Sequence, residues 1–345
     1  MDIKNLETFK GLITKYDLND RDQLKVSSIY KFFEEATGFT SSLLNKKLDF
    51  NFEEQLQINY PNLKYQEYQT VYILTDLKRQ KDSIQFINKL YLSISDNDSK
   101  DLIISLNKNT INSVKLENFL INKPKINTDI FSAFKGLVKK EDCDQMSHMN
   151  VQYYFGKHSD AIKILFNKIS SQSLDNLAYR IVNERCIFSK EVSLDCALEI
   201  VLSIKNIYEN NLILLSKVYC IDNKNVSAYF ETNISFKTDE KLKKIINKIF
   251  STKTPTYLNE LQFNDLRQLS ENRPSSRPSK IAFISCKKAV NTWDLDHKLM
   301  GSNQFKIGCV SDAATHLFTY CGADYNWRTE YNIGSAALDL SLIHI

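Results

Sequence analysis

Glu141-Asp142-Cys143-Asp144-Gln145-Met146-Ser147-His148-Met149-Asn150-Val151-Gln152-Tyr153-Tyr154, near the middle of the chain, decides how the rest is read. It sets three carboxylates, an imidazole, several carboxamides and two phenols just ahead of a segment with helical periodicity. Packing alone seldom needs so many reactive groups together. The helix runs from Val151 to Ile169, with Tyr154, Ala161, Leu165 and Ile169 along one face and Ile162 and Phe166 beside them. Asn150 stands where an N-cap belongs. Upstream, Phe131 to Val138 reads as a strand, so the quoted stretch is the loop between strand and helix. Downstream, Leu177 to Ser189, Ala197 to Ile207, Asn211 to Cys220 and Val226 to Thr238 read as strands, split by Glu209-Asn210 and by Asp222-Asn223-Lys224-Asn225.

The same order precedes it. Thr8 to Thr14 is strand-like, Asp17 to Asp22 is a polar turn, and Val26 to Leu44 has the three-and-four spacing of an amphipathic helix through Ile29, Phe32, Phe33, Ala36, Phe39 and Leu43. Strand-like runs follow at 69–75, 83–94 and 101–107, with turns at Lys81-Asp82 and Ser95 to Ser99. Strand, helix, then antiparallel strands make an α+β unit with one helix to cover its sheet. The order begins a third time after a lysine-rich helical tail and a linker, Asn272-Arg273-Pro274-Ser275-Ser276-Arg277-Pro278-Ser279. Ile281 to Val290 is its strand, and Asp294 to Ser302 aligns with Asp142 to Asn150 at a constant offset, 294 − 142 = 152. An offset of 160 − 35 = 125 places Glu35-Ala36 on Asp160-Ala161. The chain is therefore expected to hold three copies of one module, over 1–120, 121–250 and, incompletely, 280–339, with 251–279 as linker. The last six residues, Leu340-Ser341-Leu342-Ile343-His344-Ile345, can be back-translated as CTG TCT CTT ATA CAC ATC, which looks like the end of a transposon-based sequencing adapter. They are read as a scar outside the fold, against the alternative of a genuine short strand.

Composition excludes several classes. The 345 residues are 43% hydrophobic and 25% charged, as in a soluble globular protein, and 45 basic against 41 acidic residues leave a net charge of only +4, no global case for nucleic acid. No run reaches the roughly 18 apolar residues of a membrane span, and Met1-Asp2-Ile3-Lys4 opens no signal peptide, so the expected location is cytoplasmic. Seven scattered cysteines without a Cys-x-x-Cys pair indicate neither a disulfide framework nor a zinc site, and no metal or cofactor is expected.

Asp142-x-Asp144-x-x-x-His148-x-Asn150-x-x-Tyr153, between a first strand and a long helix followed by antiparallel strands, resembles the hotdog-fold acyl-CoA thioesterases. The likeness is to the 4-hydroxybenzoyl-CoA thioesterase group, whose loop reads Asp-x-Asp-x-x-Gly-His-x-Asn; here Ser147 replaces the Gly. The first unit looks closer to the acyl-carrier-protein (ACP) thioesterase branch. What the resemblance implies is an α+β fold of tandem hotdog modules, each a long helix wrapped by an antiparallel sheet, with the third copy truncated. It further implies hydrolysis of an acyl-CoA or acyl-ACP thioester in lipid metabolism, with modules pairing inside the chain and homo-oligomers also open. A carboxylate would attack the thioester or take a proton from water, and amides at a helix start would hold the oxyanion.

The family carries the nucleophile or general-base role onto Asp144, with Asp142 as the other choice or a brace for the loop. Ordinary turn aspartates are the bland reading of both. His148 and Asn150 support as orienting groups, Asn150 being also a plain helix cap. Asp142, Tyr153 and Tyr154 are the expected substrate-contacting residues, the tyrosines as pocket-wall or core aromatics. Lys139, Lys140 and Lys157 are candidate cations for substrate phosphates. The third copy has Met300 and Ser302 in place of His148 and Asn150. The first has Gln23 and Lys25 there without a gap, or with a gap Asp20 and Asp22 in place of the acidic pair. Two further functions stay open: a non-catalytic acyl-thioester-binding or scaffold protein, and a hotdog hydratase or dehydratase.

Overall fold

The computed structural model describes residues 2–44, 55–58, 65–79, 83–92, 102–109, 130–144, 146–173, 177–208, 210–251, 302–320 and 339–343. The expected turns at Lys81-Asp82 and Ser95 to Ser99, the linker at 272–279, the strand at 281–290 and the aligned loop at 294–301 lie outside the described residues. Among the described residues no helix is long and apolar enough to cross a membrane.

The first unit contains β1 (Ile3–Leu12), α1 (Val26–Leu43), β2 (Gln55–Ile58), β3 (Thr70–Arg79), β4 (Ile84–Leu92) and β5 (Leu102–Asn109). The second contains β6 (Ile130–Leu137), α2 (Val151–Ser173), β7 (Tyr179–Phe188), β8 (Ala197–Ile207), β9 (Asn211–Cys220), β10 (Asn225–Phe236) and a closing helix, α3 (Glu240–Ser251). Then come α4 (Asn303–Tyr320) and β11 (Asp339–Ile343). Element types match the sequence reading. β1 starts five residues early, α2 runs one turn longer, and β2 was not expected.

All eleven strands form one sheet in the order β11-β7-β10-β9-β8-β6-β1-β3-β4-β5-β2. Leaving β11 aside, the order is a palindrome, because β6 to β10 occupy on one side the places that β1 to β5 occupy on the other. Its centre is the β1–β6 seam, where Lys10 faces Lys135 and 135 − 10 = 125, the offset that aligned the two units. The side chains obey the same symmetry: Lys10 Nζ donates to the carbonyl of Ser132 at 2.9 Å, and Lys135 Nζ donates to that of Glu7 at 3.3 Å.

Each helix packs on its own half of the sheet, and α1 also reaches across the seam, where Phe39 packs with Ala197, Val201, Tyr219 and Ile221 of the second unit. Ile29, Phe32, Phe33 and Ala36 of α1 pack on Phe9, Ile13, Val71, Ile73, Leu90 and Leu92. On α2 the buried set includes the expected face and also Phe155, His158 and Ile164, so the sheet wraps more of the helix than one stripe. Each such side chain contributes about 1.5–3 kcal/mol by leaving water. Ser173 and His158 are the polar members of that set, and His158 lies inside the core. Its ring stacks on Phe230 and is held by Glu184 at 2.5 Å and Ser216 at 2.9 Å, which satisfies both nitrogens.

Helix α4 lies across α2. A Cβ on Gly156 would overlap Gln304 Oε1, and one on Gly308 would overlap Gln152 Oε1. Here 304 − 152 = 152 and 308 − 156 = 152, so each Gln covers the counterpart of the Gly four residues along its own helix. This is the reciprocal contact of a two-fold axis. The backbone of 339–343 pairs along the open edge of β7, opposite Asn183 to Ile187. A β-prone tail does this whatever its origin, so the pairing bears on neither account of those residues.

Candidate active site in the loop between β6 and α2

The loop is built on Asp142. A 3-10 turn at Lys140–Asp142 leaves the strand, and Asp142 Oδ2 accepts from the Lys139 amide at 3.0 Å and from Lys157 Nζ at 2.7 Å. Its carbonyl accepts from the Asn150 amide at 2.8 Å, tying the loop's far end to its start. Asp142 is buried, so its charge is matched by a lysine one and a half turns into α2. These three bonds join Asp142 to both ends of the loop and to α2.

Asp144 is exposed, and its Oδ1 accepts from the amides of Met146 at 2.9 Å and His148 at 3.1 Å. Among the described residues its Oδ2 has no partner. Ser147 follows with φ of 61°, a left-handed conformation. That explains why a glycine belongs here in the loop this one resembles: the αL region costs a side-chain-bearing residue about 1–2 kcal/mol. Asn150 Oδ1 accepts from the Gln152 amide at 3.3 Å and caps α2.

A second loop, 189–196, closes over the first. Met149 N donates to the carbonyl of Val192 at 2.8 Å and Leu194 N to that of Ser147 at 2.9 Å. It brings Glu191 Oε2 to 3.3 Å from His148 Nδ1, a partner that sequence spacing did not suggest. Tyr154 is in the core, edge-on to Phe188, and burial pushes its phenol well above the usual range. Tyr153 is half-buried beside the loop, with its phenol raised by burial and by Asp142 and Glu141.

Two of the expected phosphate cations are already engaged. Lys157 holds Asp142, and Lys139 Nζ sits 2.5 Å from Glu35 of α1, leaving Lys140 exposed. Asp160, one turn beyond Lys157, was noted in the sequence only as an alignment mark. Loss of solvent raises its carboxyl to about 6, against the pull of Lys157 and Lys139 and with a push from Asp142. Glu35 and Asp160 are equivalents at the 125 offset, so each unit places a helix carboxylate near the seam.

The first unit repeats the loop's frame, without counterparts, among the described residues, of the Lys157–Asp142 pair or of the Asn150 side-chain cap. Asp17 Oδ2 accepts from the Thr14 amide at 2.8 Å, Asn19 Oδ1 accepts from Arg21 at 2.9 Å and Gln23 at 3.0 Å, and Lys25 N donates to the carbonyl of Asp17 at 2.8 Å. Asp22 has φ of 57° at the place of Ser147. The alignment is therefore ungapped, and the gapped one, with Asp20 and Asp22 as the acidic pair, is corrected: Asp22 sits at the left-handed position. Asn19 stands where Asp144 stands, Gln23 where His148 does and Lys25 where Asn150 does. In the third copy Ser302 Oγ caps α4 by accepting from Phe305 N at 3.1 Å, as Asn150 caps α2.

No protein-family model matches the sequence, and no curated protein matches it. Solved structures do. An acyl-CoA hydrolase from Agrobacterium tumefaciens aligns at TM-score 0.50 and 8% identity over 68% of this chain and 95% of its own. An acyl-ACP thioesterase from Bacteroides thetaiotaomicron aligns over 68% and 98% at 9% identity and TM-score 0.27. A Staphylococcus aureus protein solved in complex with CoA aligns over 44% and 98% at 18% identity and TM-score 0.35. Of these three the first is near enough in backbone to speak for the fold. An antiparallel sheet wrapped on one long helix, made twice in succession and joined at the first strands, gives this chain the hotdog fold in tandem.

Proposed function

We propose that the chain hydrolyses an acyl thioester of coenzyme A or ACP to the free acid and thiol, at one site centred on Asp144. The observation that carries this is the comparison of the two loops. Asn19 makes in the first unit the same two amide bonds that Asp144 makes in the second, so the turn does not require a charge. The carboxylate at 144 is surplus to the architecture, exposed, and oriented by its bound oxygen.

Two routes fit that placement. In one, Asp144 attacks the thioester carbon, the C–S bond breaks, the thiolate leaves and takes a proton, and water then cleaves the mixed anhydride. In the other, Asp144 removes a proton from water, hydroxide adds to the carbon, and the tetrahedral intermediate expels the thiolate, which takes the proton. The positive end of the α2 dipole favours developing negative charge in either case. His148 and Asn150, at the same loop's far end, orient the water or the acyl group. Tyr153, half-buried beside the loop, is the aromatic placed to meet the acyl group, and Lys140 the cation placed to meet phosphates.

The module limits proposed are 1–120, 121–250 and 280–339, the first and third being partners without the full acid, imidazole and amide set. Module pairing inside one chain supplies a high effective concentration. The test is thiol release from a panel of acyl-CoA and acyl-ACP esters. Wild type is expected to release thiol, and Asp144→Asn to lose at least about a hundredfold in rate while keeping its melting temperature. Equal rates in the two would overturn the proposal.

A further inference from the structure

On the far side of the 189–196 loop, two cysteines and an aspartate come together from parts of the chain that show no spacing motif. Cys196 immediately precedes β8, and Cys220 ends β9 with Asp222 two residues on. One ligand atom from each, the two sulfurs and a carboxylate oxygen, all lie within 4.8 Å of one another. Cys220 is buried, Cys196 is partly exposed and Asp222 is exposed, so the cluster opens to solvent on one side.

The surroundings hold these groups in place. Asp222 Oδ2 accepts from the Ala197 amide at 2.7 Å, which orients the carboxylate and leaves its other oxygen available. The Cys196 side chain lies within hydrogen-bonding reach of the Cys220 sulfur, and the backbone amides of Asn223 and Asp222 face that sulfur as well. The β8–β9 register pairs Leu198 with Cys220, so Cys196 lies on the diagonal from Cys220. Diagonal residues of an antiparallel pair stand about 7–8 Å apart at Cα. Both cysteines are free thiols in the structure. Two sulfurs bound tetrahedrally to one ion at about 2.3 Å stand about 3.8 Å apart, which the cluster's dimensions allow.

We propose that Cys196, Cys220 and Asp222 form a site for one divalent ion of the zinc class, with solvent water in the fourth position. Two sulfurs and one carboxylate select a borderline-soft ion over magnesium or calcium. Binding releases the two thiol protons to solvent and forms two metal–sulfur bonds. The ion ties the start of β8 to the β9–β10 turn. Cys196 O accepts from Val138 N at 2.9 Å and Asp195 N donates to Val138 O at 2.9 Å, so the same staple fixes the root of the loop that closes over Asp144.

The full chain, stripped with a chelator and kept in a non-thiol reductant, is titrated with Co2+ and then Zn2+. Expected are one Co2+ per chain, a sulfur-to-cobalt charge-transfer band, and loss of that band on adding one equivalent of Zn2+. Cys196→Ser and Cys220→Ser are each expected to abolish the band, Cys309→Ser to leave it unchanged, and Asp222→Asn to weaken Co2+ binding about tenfold or more. Should buried Cys220 prove necessary for folding, the partly exposed Cys196→Ser carries the test, with circular dichroism to show that it is folded. Absence of the charge-transfer band in the wild type, or its survival in folded Cys196→Ser, overturns the proposal. None of these readouts depends on thioester hydrolysis.

Discussion

At Ser147 a hydroxymethyl side chain occupies a backbone position that suits glycine. Ser147→Gly is expected to raise stability by about 1 kcal/mol, read as a higher urea midpoint at unchanged slope, because the bonds of Leu194 N and Ser147 N do not involve the side chain. Asp160 gives a pH signature. Its proton is held more tightly in the folded chain than in the unfolded one, so between about pH 4 and pH 6 stability falls as pH rises. Asp160→Asn should flatten that limb and make the protein more stable above pH 6, by on the order of 1–3 kcal/mol, measured by denaturation across pH. At this scale the sequence was informative about which residues matter and silent about what each does. Asp142 and Asp144 look alike in a list. Only the lysine one and a half turns into α2 makes one a brace, and only Asn19 shows that the other is free of structural duty.

Between elements, three glycines permit close approach. Gly38 brings α1 against Leu137 of the other unit's first strand, where a Cβ would overlap the leucine side chain, and Gly156 and Gly308 let α2 and α4 touch. Gly308→Leu is expected to push α4 off α2 while leaving the sheet intact. Amide hydrogen exchange would then quicken throughout 303–320 and stay slow in β6 to β10; unchanged exchange in α4 would count against the contact. Helices and long strands were legible because α1, α2 and β6 to β10 carry clean periodicity. β2 was not, since Gln55–Ile58 is four residues with alternating glutamines and its identity comes only from pairing with β5. The first unit's loop was ambiguous for a related reason: Asp17, Asp20 and Asp22 offer two alignments, and backbone φ, which is not written in residue types, chooses between them. The Cys196–Cys220–Asp222 cluster was invisible because strand register brings Cys196 to partners 24 and 26 positions away.

Over the whole molecule, a charged seam lies at the centre of the sheet. Lys135 is 1% exposed, 3.0 Å from Glu7 and 3.8 Å from Glu199, whose other neighbour is Ser132 Oγ at 2.5 Å. Burial lowers the Lys10 amine and raises the Glu199 carboxyl, while Glu7, although burial opposes it, is held below its ordinary range by Lys10 and Lys135. Lys135→Met leaves Glu199 buried without its paired cation and Glu7 with Lys10 alone, and should cost about 3–5 kcal/mol, whereas Lys135→Met with Glu199→Gln should recover part of that; chemical denaturation of both variants checks it. Such a seam stabilises little by itself, yet it fixes which edge meets which. The Gln152–Gly308 and Gln304–Gly156 contacts have a historical meaning as well. A two-fold contact within one chain arises most simply when its two sides were once the same gene product meeting itself. In a homodimer every substitution appears on both sides at once; after fusion each half mutates alone. The half that keeps Asp144 and His148 could then retain its chemistry while the other, relieved of it, kept only the surface by which it holds on.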